Sequence, residues 1–216
     1  METAVSWKTR ISIFLHRMRS ARGNAAIEFA FVAPAFFALM LGILEIGTMT
    51  FGQFALQNAV TETGRYIRTG QAQGINVSTA ARCMGGNAAT DPGNYATTAD
   101  WYRGQICCNV YGLLQCDSSH LFINVSSAQT FAAAGGFSSA TANVTNSYTP
   151  GVACDVVLVR ATYAWTIWFP GLTRLLNSNN ADYLVNIQDS SGQGAHLLSA
   201  TAAFRNEPYT SGVSGC

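Results

Sequence analysis

The chain has 216 residues, a formal net charge of +1 and 49% hydrophobic residues, enough for one ordinary domain beside a dense apolar stretch. The first 23 residues carry Lys8, Arg10, Arg17, Arg19 and Arg22 against Glu2, whereas residues 24–216 hold seven Arg and ten Asp or Glu. That acidic balance speaks against nucleic acid as a partner, because such binding needs a clustered basic face.

Within the basic leader, Trp7, Ile11, Phe14, Leu15 and Met18 recur at near-helical spacing among the cations. The pattern fits a basic amphipathic helix on a membrane surface, with a solvated tail as the alternative. A run of 16 uncharged residues, 29–44, then lies between Glu28 and Glu45. About 17 helical steps of about 1.5 Å set the two carboxylates about 25 Å apart, slightly less than a hydrocarbon core of about 30 Å. Both therefore reach opposite interfaces, and local thinning and snorkelling complete the span. Pro34 lies inside it, where lipid tolerates proline, and a kink is expected there. The cationic bias lies wholly on the N-terminal side, so the N-terminus should be cytoplasmic and the remainder extracytoplasmic. Beyond Glu45 the helical pattern continues through Met49, Phe54, Leu56, Val60 and Ile67, and Gly70 should stop it after about Thr69. Gly42, Gly47 and Gly52, with nearby alanines, would let another helix approach closely.

Residues 71–104 are rich in Gly, Ala, Thr, Asn and Asp, with a turn at Asp91-Pro92-Gly93. They read as loop with one short helix around 78–83. Strands are expected over 105–115, 121–126, 152–169, 183–188 and 197–206, with 135–149 an exposed excursion. In the longest of these, Val157, Val159, Ala161, Tyr163 and Trp165 alternate with Val156, Leu158, Arg160, Thr162 and Ala164, which suits one mostly apolar face. Trp165, Trp168 and Phe169 precede Pro170, and core packing is the reading preferred over a lipid- or partner-facing patch. The expected class is α+β: a long N-terminal transmembrane helix, then a small disulfide-containing domain with an antiparallel sheet. The domains are 1–23 leader, 24–70 membrane and extended helix, and 71–216 extracytoplasmic.

All six cysteines, Cys83, Cys107, Cys108, Cys116, Cys154 and Cys216, follow the apolar run. This distribution suits an oxidising compartment beyond a membrane, with buried free thiols as the alternative. Cys107 and Cys108 are adjacent, so on a strand they would face opposite sides and choose different partners. His16, His120 and His196 are far apart in sequence, and no metal-binding, nucleophile or phosphate-cradling motif occurs. No enzyme activity, cofactor, metal or small-molecule substrate is expected. The sequons at Asn76, Asn124 and Asn143 are short enough to arise by chance.

Gly23, then Asn24, Ala25, Ala26 and Ile27, then Glu28 and Phe29 resemble the type IV prepilin pattern: glycine before the cut and glutamate fifth in the mature chain. The continuation EFAFVAPAFFALMLGILEIG, with Pro34 and a Gly-x-x-Glu ending at Glu45, resembles the TadE-like family. The aromatic strand YAWTIWFP and the closing ATAAFRNEP resemble that family's C-terminal pattern. The resemblance implies a pseudopilin-like subunit for assembly of Tad-type Flp pili in tight adherence, processed by a membrane aspartyl prepilin peptidase. Its implied partners are the bacterial inner membrane, that peptidase, and other Tad pilins and pseudopilins. Cutting after Gly23 would create an α-amino group at Asn24, which Glu28 of a neighbouring subunit would pair with. Two other readings remain: a secreted protein whose signal peptide covers 25–46, and an uncleaved bitopic protein whose periplasmic domain binds pilus or secretion components.

Overall fold

The structure is a computed structural model and describes residues 21–77, 83, 95–110, 112–116, 120–134, 146–168 and 195–209. The chain forms two compact units, Met1–Ile46 and Gly47–Cys216. Helix α1, Ala21–Arg68, belongs to both, and it continues unbroken through Pro34. In the first unit the large apolar side chains of α1 are exposed, Phe31 by 81%.

The second unit contains the rest of α1, helix α2 (Thr98–Val110), strand β1 (Leu121–Ala128), the single-turn helix α3 (Phe131–Ala134), and strands β2 (Ser147–Tyr148), β3 (Val156–Thr166) and β4 (Ala195–Arg205). The sheet order is β2-β1-β3-β4. β3 pairs antiparallel with β1 and β4, but β2 pairs parallel with β1, so the sheet is mixed and not purely antiparallel as expected. β2 arises inside the excursion expected over 135–149. Two residues carry no readable alternation, and their pairing is decided by contact with β1 alone.

Register puts Leu121, Tyr163 and Leu198 in one row, Ile123, Ala161 and Ala200 in the next, and Val125, Val159 and Ala202 in a third. These side chains share one face because alternate strand residues point the same way. They meet Leu56, Ala59, Val60 and Ile67 of α1 and Trp101, Tyr102 and Ile106 of α2 in one buried cluster. Asn124, Leu158, Arg160 and Thr162 occupy the opposite face and are only partly buried. The molecule is therefore α+β, with two helices laid on one face of a four-stranded sheet.

α2 corrects the sequence reading, which gave loop to Gly104 and a strand from Gln105. Its start is a reciprocal cap: the Asp100 amide donates to Thr97 Oγ1 (3.1 Å) and the Thr97 amide donates to Asp100 Oδ2 (3.1 Å). Trp101 and Tyr102 recur as Gln105 and Ile106 four residues on, all buried. Cap and four-residue spacing are both legible in the sequence; the aromatic and cysteine content concealed them. The helix, not a strand, separates Cys107 from Cys108. Cys108 bonds Cys83 (Cα–Cα 5.8 Å) and Cys107 bonds Cys116 (5.7 Å). Cys154 is also disulfide-bonded.

The C-terminus of α1 falls at Arg68, next to the expected Thr69, and Gly70 adopts a left-handed φ of 78°. A side chain there would be strained and would collide with the ring of Tyr209. The approach is also close at Gly64, where a Cβ would stand 3.0 Å from Phe204 Cε1 and the ring would have to shift. The expected leader pattern over 1–20, the strand over 183–188 and the helix around 78–83 lie outside the described residues, apart from Cys83, which is not helical.

Candidate functional site

Two sets of residues carry the candidate function: the apolar segment and the tail that locks the second unit. In the first set, Gly23, Asn24, Glu28, Phe29, Pro34 and Glu45 all lie on α1. Glu28 is exposed and Glu45 half-buried, and between them Phe31, Val32, Leu39, Ile43 and Leu44 face outward. Each such side chain gains about 1.5–3 kcal/mol on leaving water, so water is the wrong solvent for this stretch. By length and composition α1 is long and apolar enough to cross a membrane. These properties are compatible with single-pass membrane insertion.

The second set is the segment Arg205-Asn206-Glu207. Arg205 Nε donates to the Cys154 carbonyl (2.9 Å), and Asn206 Nδ2 donates to the carbonyls of Pro150 (3.0 Å) and Val152 (2.9 Å). The Asn206 amide adds a bond to the Asp155 carbonyl (2.8 Å), and the Glu207 amide reaches the Arg68 carbonyl at the end of α1 (2.8 Å). A half-exposed ion pair from Arg68 Nε to Glu207 Oε1 (3.1 Å) reinforces this last contact, though such pairs contribute little, about 0.2–1 kcal/mol. The three residues thus join the end of α1 to the 150–155 loop. Asn206 is buried, so Asn206→Ala should cost about 1–3 kcal/mol by removing two buried side-chain hydrogen bonds, to the carbonyls of Pro150 and Val152. Asn206→Asp, which has no amide donor, should behave similarly in urea titrations, and unchanged midpoints for both would refute this role. Asn206 was not singled out by sequence reasoning, because a polar residue after a strand does not reveal that it will be buried.

Among the described residues β4 is an edge strand, and α1 covers it with polar side chains. Gln53 Nε2 donates to the Ser199 carbonyl (2.6 Å), while Gln57 donates to the Thr201 carbonyl (2.8 Å) and accepts from the Thr201 amide (3.2 Å). Their four-residue spacing places both amides on one helix face, where they substitute for a neighbouring strand.

Trp165 packs against the core cluster, as the preferred sequence reading has it, but Trp168 is 86% exposed. Phe169 lies outside the described residues. His196 stands opposite Trp165 across β3 and β4, and burial pushes its imidazole below the ordinary value. The unfolded chain therefore takes up a proton first as pH falls below about 6.5, the usual histidine value, and the folded state loses stability from there down to its own lower pKa. His196→Gln should flatten this part of the acid-stability profile; identical slopes for the two proteins just below about pH 6.5 would contradict it. Among the described residues no group of three or more His, Cys, Asp or Glu is arranged to hold a metal ion.

By fold this is an α+β protein with a long apolar N-terminal helix and a disulfide-bonded mixed-sheet unit. Residues 23–65 match the model of the family described as TadE-like protein, the family that the EFAFVAPAFFALMLGILEIG segment resembles. The match ends three residues before α1 does, so it covers the helix and none of the sheet. This family suggests a part in Tad pilus assembly alongside other pilus components, and it is not known as enzymatic. No curated protein and no solved structure matches the chain.

Proposed function

We propose that the chain is a pseudopilin-like subunit required for assembly of Tad-type Flp pili. It is anchored in the bacterial inner membrane by the apolar part of α1, with a cytoplasmic N-terminus and a periplasmic disulfide-bonded unit. It acts structurally, after a prepilin peptidase removes residues 1–23. The observation that carries this reading is the Gly23 to Glu28 spacing at the very start of the TadE-like match. The peptidase needs a small residue before the cut, and the cut leaves Glu28 as fifth residue, placed to pair with the new α-amino group of a neighbouring subunit. The cysteines support the compartment, since disulfides persist where thiols are not kept reduced.

N-terminal sequencing of the membrane-fraction protein should give Asn24 as the first residue. Gly23→Arg should abolish the short form and leave the chain starting at Met1. If Gly23→Arg cells still yield the short form and normal pili, the processing proposal is wrong. A start at Met1 in the unaltered protein would favour the uncleaved bitopic reading, and a start near residue 47 would favour a signal peptide.

A further inference from the structure

Contacts along α1 order the second unit from one end to the other. A Cβ at Gly52 would meet Trp165 (3.1 Å), Leu114 (3.4 Å) and Leu198 (3.6 Å). Further on, Gln53 reaches Ser199, Gln57 reaches Thr201, Gly64 faces Phe204 and Arg68 meets Glu207. Helix and β4 therefore advance together, and β3, being antiparallel to β4, returns toward Gly47. Trp168 follows Trp165 by three residues, a reach of up to about 10 Å, while Gly47 precedes Gly52 by about 7.5 Å of helix. Trp168 thus stands at the end of the unit where the chain continues covalently into the apolar segment.

The described residues at that end carry no charge. Among the described residues 47–54, 113–116, 120–121, 165–168 and 195–198 there is no Asp, Glu, Lys or Arg. Glu62, Arg65, Arg68, Asp155, Arg205 and Glu207 all gather at the opposite end. Phe51 and Phe54 are exposed by 62% and 64% on the same stretch of α1. An exposed indole with two exposed phenylalanines is the kind of side-chain set enriched at headgroup level, where amphipathic rings settle.

We propose that this aromatic end of the Gly47–Cys216 unit docks on the phospholipid headgroup layer, with Trp168 as its anchor and Phe51 and Phe54 beside it. The proposal rests on the single-pass reading above, and continuity with the apolar segment selects a bilayer over a second copy of the chain. The test uses full-length protein reconstituted sparsely in phosphatidylcholine vesicles brominated close to the headgroup. The emission that Trp168→Phe removes should fall about twofold relative to unbrominated vesicles, as expected of an interfacial indole. Unchanged emission overturns the docking, and so does quenching seen only at high protein density, which would assign the face to a second copy. A Phe37→Trp reporter, with bromine deep in the chains, tests the span separately. Quenching of residue 37 without quenching of Trp168 refutes the docking alone; quenching of neither refutes the span and the docking together.

Discussion

Loss of the Cys83–Cys108 and Cys107–Cys116 disulfides is expected to remove about 6 kcal/mol of stability, most of what a domain of this size possesses. Cys83–Cys108 and Cys107–Cys116 close sequence separations of 25 and 9 residues. Loop-closure entropy assigns about 3.5 kcal/mol to the first and about 2.5 kcal/mol to the second. Both bonds act on the last turn of α2, a helix of 13 residues that would be marginal if isolated. Cys108→Ser should therefore lower the urea midpoint more than Cys116→Ser, and the double variant should unfold first at α2. Expression in a reducing compartment should yield a protease-sensitive chain. If complete reduction leaves the midpoint unmoved, the disulfides are ornaments on an already sufficient core.

Trp101→Ala should cost about 3–5 kcal/mol, the range for deleting a fully buried large aromatic. Trp101 is fully buried, and its ring lies 5.9 Å from that of Tyr66 on α1. Beside it, the Thr63 and Tyr102 hydroxyls are hydrogen-bonded (3.3 Å), and burial pushes the Tyr102 phenol well above its ordinary value. Trp101 is thus, with Tyr102, the bulk that spaces α2 from α1, and its loss opens a cavity between the two helices. Trp101→Phe should recover part of the loss because it refills part of the volume. Equal stability of Trp101→Ala and the unaltered protein in urea unfolding would show that the helices repack without it.

Much of the fold was legible wherever one residue type dominates a long run. The uncharged stretch 29–44 needs no partner to declare itself, and β1, β3 and β4 fall where alternation places one apolar face. Gly70 ends α1 because the left-handed conformation there suits glycine. α2 escaped because Trp101, Tyr102, Ile106 and two cysteines are equally at home in a strand. β2 escaped because two residues are too few to carry a period. Trp168 was misjudged for a related reason: composition favours burial of aromatics in a strand, yet the strand ends at Thr166.

By itself the sequence determined the apolar helix, the Gly23 and Glu28 spacing, the TadE-like resemblance and the α+β class, since each depends on neighbours along the chain. Only the tertiary structure decided which cysteines pair, that Asn206 is a buried clasp, that Gln53 and Gln57 close the edge of β4, and that the uncharged residues share one end of the unit. Those properties belong to residues brought together across separations of up to 146 positions, and hydrogen-bond partners at that range are set by packing, which local pattern does not encode.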